Sequence, residues 1–310
     1  MKQFLNKILI FCIPFLIMAI ILFVLPFNKQ FGYLYIKGSC FNRGAFIFDR
    51  VFESNKPVDV AFIGTSHTLN AINDSLLETT FPNTNFSNIA YCWQGINMEY
   101  VLLKDIITQK HPDKIVFEVR EREEQISHKM FPYIADNNDI WQQPFLSNPS
   151  CFGNVLTALT TRVEMQTKQK HIILNNNTAH KKFGFEARGE FASNSDLEKS
   201  KQVQFNNYNT STGNLANDTL SGYTLFYFEK MMQLCNQNNV QIYFIYLPNY
   251  GGELAEPINI ASYKKHGTVL LPPDSIMNNK NNWANTSHLN SNGAQLLTTW
   301  LAENLFNDLP

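Results

Sequence analysis

The sequence lacks the charge pattern of a nucleic-acid-binding protein. Its 25 Lys and Arg residues are balanced by 26 Asp and Glu residues, so the formal net charge is −1. No run of Lys or Arg is long enough to form the basic surface that a phosphate backbone requires. We therefore expect no nucleic-acid partner.

Patterns for binding metals and nucleotides are also missing. The five cysteines form no Cys-x-x-Cys pair and no Cys/His spacing typical of zinc sites. There is no Walker loop and no Rossmann glycine pattern. The sequence thus predicts no metal and no cofactor. Cys12 lies in an apolar segment, and Cys40, Cys92, Cys151 and Cys235 either form disulfides or are buried thiols.

A long apolar segment stands near the N-terminus. Residues Ile8–Asn28 carry no charged side chain, and about 20 apolar residues span the hydrocarbon core of a bilayer as a helix. The alternative is a cleaved signal peptide, but residues 24–29 offer no small-residue cleavage site. We expect an uncleaved single-pass anchor over residues 1–30, inserted in the cytoplasmic membrane. The domain that follows is expected outside the cytoplasm, in the periplasm or its equivalent.

After this segment, strand and helix patterns alternate. Apolar runs typical of buried parallel strands cover Val58–Ile63, Asn85–Ile89, Lys114–Val119, Val240–Leu247 and Gly267–Leu271. Helical spacing predicts helices over residues 69–80, 98–109, 220–239 and 292–306. Alternation of this kind is typical of right-handed βαβ units. The predicted fold is α/β, a flavodoxin-like, three-layer, doubly wound parallel sheet of about five strands.

Between the third and fourth predicted strands the pattern weakens. Residues 120–217 are rich in Asn, Gln, Lys and Ser, with helical spacing around residues 151–169 and a polar tract at residues 193–214. We interpret this stretch as a cap or lid insertion. The predicted organisation is therefore an anchor at 1–30 and one α/β domain at 31–310 that carries the insertion.

One serine and one histidine follow predicted strands. Ser66 comes directly after the first strand, and His288 comes after the fifth. The carboxyl ends of parallel strands share one edge of a sheet, where ligands bind. There His288 could accept the hydroxyl proton of Ser66 during attack on an acyl carbonyl. The alternatives are a serine that only caps a helix and a histidine that lies in solvent.

Three blocks resemble the SGNH (GDSL-like) hydrolase superfamily. They are Gly64–Thr65–Ser66–His67, the turn Asn88–Ile89–Ala90–Tyr91 leading to Gln94–Gly95, and the terminal block His288–Leu289–Asn290–Ser291–Asn292–Gly293–Ala294. The chain is most similar to membrane-anchored bacterial members that act on acyl groups of the cell envelope. The resemblance covers most of the chain after the anchor, except the predicted cap.

This resemblance implies the roles of the main site residues. Ser66 would be the nucleophile and His288 the base. The N–H groups of Ser66 and Gly95 would bind the oxyanion, with Asn88 or Gln94 nearby.

Other residues near the motifs are candidates for substrate contact. His67 and Gln94 adjoin the serine and glycine positions, and Trp93 and Trp283 could stack on a sugar ring. Arg120 is a candidate for binding a polar substrate. Core packing or a solvated surface is the alternative for each of them.

The sequence departs from the superfamily at two places. Asn285 stands three residues before His288, where the family has Asp, and Val119–Arg120–Glu121–Arg122 stands where the family has Gly-x-Asn-Asp. An amide oxygen can fix the imidazole tautomer but cannot stabilise the imidazolium. Asp→Asn lowers kcat about 10⁴-fold in an unrelated serine protease, although Cys-His-Asn proteases show that an amide can orient a histidine.

Two functions of different classes follow from the resemblance. The first is a serine acyl esterase or O-acyltransferase that acts on acetyl or similar groups of an envelope polysaccharide. Transfer would need a membrane-bound O-acyltransferase partner to deliver the acyl group. The second is a catalytically degenerate relative that binds carbohydrate or assembles a polysaccharide complex, and Asn285 favours it.

Overall fold

The structure is a computed structural model in which the chain divides into two compact units. One unit comprises Met1–Phe48 and Lys129–Ala179, and the other comprises Asp49–His128 and His180–Pro310. The second unit contains the whole sheet. The described residues are 1–24, 28–36, 40, 43–121, 126–174, 181–211, 220, 222–252 and 255–305.

Helices make up most of the regular structure in both units. They are α1 Lys2–Val24, α2 Gln30–Tyr35, α3 Arg43–Phe48, α4 Ser66–Ala71, α5 Asp74–Thr80, α6 Ile96–Lys110, α7 Phe131–Ile134, α8 Asn137–Trp141, α9 Cys151–Leu174, α10 Asn194–Ser211, α11 Gly222–Gln237, α12 Ile260–Lys264, α13 Asp274–Met277 and α14 Ser291–Leu305. A π-helical turn covers Asp49–Glu53, and a 3₁₀ turn covers Lys280–Asn282.

The strands form one open, parallel sheet. They are β1 Val60–Ile63, β2 Phe86–Asn88, β3 Lys114–Val119, β4 Gln241–Tyr246 and β5 Thr268–Leu270. Their order is β2-β1-β3-β4-β5, and every neighbouring pair is parallel. This is the order of flavodoxin-like sheets, in which a crevice opens beyond the carboxyl ends of the two strands where the winding reverses. Here these strands are β1 and β3. The predicted α/β class with a five-stranded parallel sheet is confirmed.

Burial on both faces explains why the strands are continuously apolar. Val60 and Phe62 face one side, where they join a core cluster with residues of α5 and α14 such as Leu77 and Leu297. Ala61 and Ile63 point to the opposite face and are fully buried there. A strand covered on both faces needs no polar side chain in the sequence.

The predicted helix over residues 69–80 is two helices. Ile72 and Asn73 have extended backbone, and the Asn73 side chain accepts a hydrogen bond from Leu76 N at 3.1 Å. Asn is a preferred N-cap because its side-chain oxygen satisfies an otherwise unpaired helical amide. The apolar spacing did not reveal this break. The earlier helix, α4, begins at Ser66, with Thr65 as its N-cap.

The first unit contains two long helices, α1 and α9, and several short ones. In it α2 packs against α3, α7 and α9, and α1 packs against α9. Among the described residues no helix is long and apolar enough to cross a membrane. The side chains of α1 are described for residues 3–17, and all of them are exposed. Residues 25–27 of the predicted anchor and the side chains of residues 18–24 lie outside the described part of the chain, so the anchor stays a prediction.

The region predicted as an insertion is divided between the two units. Residues 129–179, with α7 to α9, belong to the first unit, and residues 181–211 belong to the unit that holds the sheet. The polar tract predicted at 193–214 contains α10. Cys151 and Cys235 are buried free thiols, and Cys92 is disulfide-bonded.

Candidate active site

The first part of the site is the tight turn between β1 and α4. Gly64 and Thr65 connect the end of β1 to Ser66, the first residue of α4. A Cβ atom on Gly64 would lie 2.5 Å from both the Glu118 Cβ and the Thr68 Oγ1. No L side chain fits that space. Glycine therefore allows β3 to approach the turn that carries Ser66.

The second part is the loop before α14. The Asn285 Oδ1 accepts hydrogen bonds from the backbone N–H groups of Ser287 and His288, both at 2.9 Å. The same oxygen lies 3.0 Å from the Nδ1 of His288. Two backbone donors identify this atom as the amide oxygen, so the Nδ1 carries the ring proton and donates it. The Nε2 is then left as an acceptor.

The two parts meet at the carboxyl edge of the sheet. The Oγ of Ser66 lies 2.8 Å from the Nε2 of His288, and with the Nδ1 of His288 protonated, the hydroxyl is the donor. The predicted proximity of the two side chains is confirmed. The distance is within the range required for direct proton transfer. Asn285, Ser66 and His288 together form a Ser-His-Asn arrangement.

Burial and nearby cations keep His288 neutral. Burial contributes most, and Arg188 and Arg120 add to it, while Glu118 and Glu190 act in the opposite direction. The net effect lowers the pKa of His288 to about 4. At neutral pH the Nε2 therefore has the lone pair that a general base needs.

The N-terminal amides of α4 have different partners. Thr65 N and Thr68 N donate to the Glu118 carboxylate, and His67 N donates to the Thr65 Oγ1. Among the described residues the Ser66 N–H has no hydrogen-bond partner. It is therefore available to bind an oxyanion.

Gly95, the other predicted oxyanion donor, begins α6. Its φ of 151° belongs to the region that L side chains avoid, and a Cβ atom would lie 2.5 Å from the Cβ of His128. Within the described part of the chain its N–H also has no partner. Gly95 lines a cleft together with Thr65, which precedes Ser66, and Arg120, which follows β3. Gln94 lines the same cleft.

Glu118 is the functional candidate that the sequence analysis missed. It lies on β3, its side chain is 1 % exposed, and its carboxylate accepts hydrogen bonds from Thr65 and Thr68. The Nε of Arg120 donates to it at 2.9 Å. A charged residue inside an apolar strand was the available signal, because a buried carboxylate needs a partner.

The Glu118 carboxylate is ionised despite its burial. Burial by itself raises its pKa, but the Arg120 charge and the hydrogen bonds of Thr65 outweigh burial and hold the pKa at about 2. The Nη2 of Arg120 also donates to the Thr65 Oγ1 at 2.7 Å. The guanidinium is thus fixed at the edge of the cleft, beside the turn that carries Ser66.

His67 packs against the base and is buried. Its Nδ1 donates to Leu247 O at 3.1 Å, and its ring meets that of His288 edge to face, with centroids 5.4 Å apart. Burial and then Arg120 lower the pKa of His67 to about 3. This contact supports a role in holding the His288 ring.

Two predicted site residues have structural roles instead. Both amide hydrogen bonds of Asn88 go to Thr68 O and Ile72 O, at 2.9 and 2.8 Å, so this side chain cannot donate to an oxyanion. Trp283 is 1 % exposed, belongs to the core and donates to Met277 O. It therefore cannot stack on a sugar.

Trp93 remains a candidate for substrate contact. It is 49 % exposed, has a φ of 67° and lies in the loop before Gly95. Its ring centroid is 6.3 Å from that of His128. The exposed aromatic surface beside the cleft is suited to stacking on a sugar.

The described residues contain no group of three or more His, Cys, Asp or Glu side chains that could hold a metal ion. No protein-family model matches the chain. The curated proteins contain no significant match either. The site must therefore be interpreted from its own geometry.

Proposed function

We propose that this protein is an SGNH-like serine acyl esterase or O-acyltransferase. Its substrate is an acyl ester, and acetyl on a cell-envelope polysaccharide is the expected group. The observation that carries the proposal is the 2.8 Å contact between the Oγ of Ser66 and the Nε2 of His288, with Asn285 on the Nδ1.

The reaction would proceed through an acyl-serine. The Oγ of Ser66 attacks the acyl carbonyl carbon while its proton passes to the Nε2 of His288. The oxyanion that forms is bound by the N–H groups of Ser66 and Gly95. The tetrahedral intermediate then collapses, and the leaving sugar oxygen takes the proton from His288 and departs as a hydroxyl. Acyl-Ser66 remains.

The second half of the reaction decides between the two activities. In an esterase, water attacks acyl-Ser66 while its proton passes to His288, and the carboxylic acid leaves as the Ser66 oxygen takes that proton back. In a transferase, the hydroxyl of another sugar does the same and receives the acyl group. A membrane-bound O-acyltransferase partner would then supply the acyl group to Ser66.

Asn285 sets a limit on the rate. Its Oδ1 accepts the Nδ1 proton of His288 and fixes the tautomer. It carries no charge, so it stabilises the imidazolium less than a carboxylate would. We infer a slower turnover than in an enzyme with Asp at this position.

We also propose that the protein is anchored in the cytoplasmic membrane and acts outside the cytoplasm. Residues 3–17 of α1 are exposed and mostly apolar. The first unit has a second exposed apolar set, consisting of Trp141, Phe145, Leu146, Phe152 and Leu156. Large exposed apolar patches are typical of surfaces that contact membranes or other proteins. The disulfide-bonded Cys92 favours an oxidising compartment.

A second function is favoured by two features of the sequence. Asn285 and the lack of an Asn after β3 are compatible with a catalytically degenerate relative that binds carbohydrate or assembles an envelope polysaccharide complex. In that case Trp93 and the cleft would bind a sugar without hydrolysing its ester.

A fluorophosphonate probe tests the proposal, since it labels only an activated serine. The expected result is labelling of the full chain, lost in Ser66→Ala and in His288→Ala and kept in the control Ser75→Ala. Release of acetate from an acetylated polysaccharide would then be measured for the same four proteins. Absence of labelling in the wild type together with binding of the polysaccharide would favour the binding function.

A further inference from the structure

Glu118 is a buried charge that does not take part in the proposed proton transfer. We propose that Glu118 is the positioning residue of the nucleophile, which holds the Ser66 turn from β3 through the threonines on either side of it. The inference rests on the proposed function of Ser66. It adds a residue from a strand that carries no recognised motif.

The Glu118 carboxylate binds residues on both sides of Ser66 in the sequence. Its Oε2 accepts from Thr65 N at 2.8 Å, from Thr68 N at 3.1 Å and from the Thr68 Oγ1 at 2.8 Å. Its Oε1 accepts from the Thr65 Oγ1 at 2.8 Å. One residue of β3 therefore fixes the backbone before Ser66 and the backbone two residues after it. The direction of the Ser66 side chain follows from the backbone between these two points.

A neutral residue cannot make the same set of bonds. The carboxylate accepts five bonds, four from the two threonines and one from the Nε of Arg120. Glutamine has one oxygen, and its NH₂ group would face donors that require an acceptor. Arg120 supplies the opposite charge without which the buried carboxylate would be strongly destabilising.

Glu118 and Arg120 also change the pKa of His288. Charged groups on two segments face His288: Glu118 on β3 with Arg120 just after it, and Arg188 with Glu190 between α9 and α10. The His67 ring lies beside it on α4. Within this set Glu118 raises the pKa of His288 and Arg120 lowers it. Loss of Glu118 should therefore lower the pKa of His288, and loss of Arg120 should raise it. A purely structural role would not predict these opposite shifts.

The experiment compares Glu118→Gln and Arg120→Gln with the control Glu229→Gln, an exposed carboxylate on α11. We expect Glu118→Gln to lower kcat and the rate of fluorophosphonate labelling about 10- to 100-fold with KM unchanged, because small displacements of a nucleophile cost this much. The acid limb of the pH profile should shift to lower pH in Glu118→Gln and to higher pH in Arg120→Gln. Wild-type kcat in Glu118→Gln would overturn the inference.

A second measurement does not depend on activity. In protein with ¹⁵N-labelled histidine, NMR titration follows His288 directly, and the Nε2 shift reports its hydrogen bond to Ser66. We expect that bond to weaken in Glu118→Gln and to remain in Glu229→Gln. An unchanged Nε2 signal would contradict the positioning role even if the wild type proved inactive. If Glu118→Gln does not fold, Thr68→Val removes one of the five donors. The same comparison can then be made, with a smaller expected effect.

Failure of the two proposals can be told apart. A wild type that is not labelled at Ser66 contradicts the proposed function alone, since the NMR comparison still tests Glu118. A labelled wild type with a fully active Glu118→Gln contradicts the positioning role alone.

Discussion

The two halves of the candidate site are held by different chemistry. The Ser66 turn is fixed by a buried, ionised carboxylate that accepts five hydrogen bonds. The His288 loop is half-buried and is fixed by a neutral amide oxygen that accepts three N–H groups. Charge is thus placed beside Ser66 and is missing beside His288, where Ser-His-Asp enzymes have it.

This difference separates orientation from charge stabilisation. Asn285 provides the orientation of the imidazole, and the Glu118 carboxylate is bound to Arg120 and two threonines. An imidazolium formed at His288 would therefore have no direct anionic partner among the described residues. A site of this kind is expected to keep its base neutral at low pH and to turn over slowly.

The largest expected effect is the loss of the base. His288→Ala removes the only acceptor seen for the Ser66 hydroxyl in the described structure, so we expect kcat to fall by about 10⁴-fold or more. The measurement is ester hydrolysis beside the control His266→Ala, an exposed histidine. Activity retained in His288→Ala would contradict the assignment of His288 as the base.

Substitution of Asn285 separates orientation from charge. Asn285→Asp keeps an acceptor for all three N–H groups and adds a negative charge, so we expect kcat to rise about tenfold and the pKa of His288 to rise. Asn285→Ala removes the acceptor and should lower kcat by about 10- to 100-fold. Steady-state kinetics over a pH range distinguish the two variants. A lower kcat in Asn285→Asp would indicate that charge beside the base is unfavourable in this site.

The pH profile tests the neutral base directly. Since burial, Arg188 and Arg120 lower the pKa of His288 to about 4, the base is protonated only below that pH. We expect kcat/KM to stay constant from pH 7 to about pH 5 and to fall with a midpoint near 4. A midpoint near 6.5, the ordinary value of histidine, would mean that the base is solvated.

The smallest effect concerns stability. The pKa of buried His67 is about 3 in the folded chain and about 6.5 when unfolded. The unfolded state binds the proton first, so the free energy of unfolding decreases as pH falls from 6.5 towards 3, by at most about 1.4 kcal/mol per pH unit. His67→Gln should lessen this dependence, measured by denaturant unfolding.

The matched control for that experiment is His111→Gln, since His111 is exposed. Equal pH dependence in wild type and His67→Gln would contradict the burial of a neutral His67. Because His67 packs on the base, a small loss of kcat in His67→Gln would also be consistent with its contact to His288.

The sequence predicted the scaffold better than the site. The third strand was predicted with its observed bounds, Lys114–Val119, because a buried parallel strand is apolar throughout. Ser66 and His288 were found because each follows such a strand. The break at Ile72–Asn73 was missed, since apolar spacing continues across it, and only the cap of Asn73 ends one helix and begins the next.

The roles of Asn88, Trp283 and Glu118 could not be predicted in the same way. Asn88 was expected at the oxyanion and binds two carbonyls of the α4 segment, while Trp283 was expected at a sugar and lies in the core. A polar or aromatic residue near a motif has the same sequence signal whether it faces the cleft or the interior. Burial decides between the two, and burial depends on the packing of distant elements.

By itself, the sequence determined the local properties of this protein: its apolar strands, its glycine turn after β1 and an amide in place of the carboxylate before His288. The tertiary structure alone decided which side chains meet. Ser66, Glu118 and His288 come from three distant segments, and the strand order β2-β1-β3-β4-β5 brings their carboxyl ends to one edge. Hydrogen bonds act over about 3 Å, so only this arrangement could join them in one network.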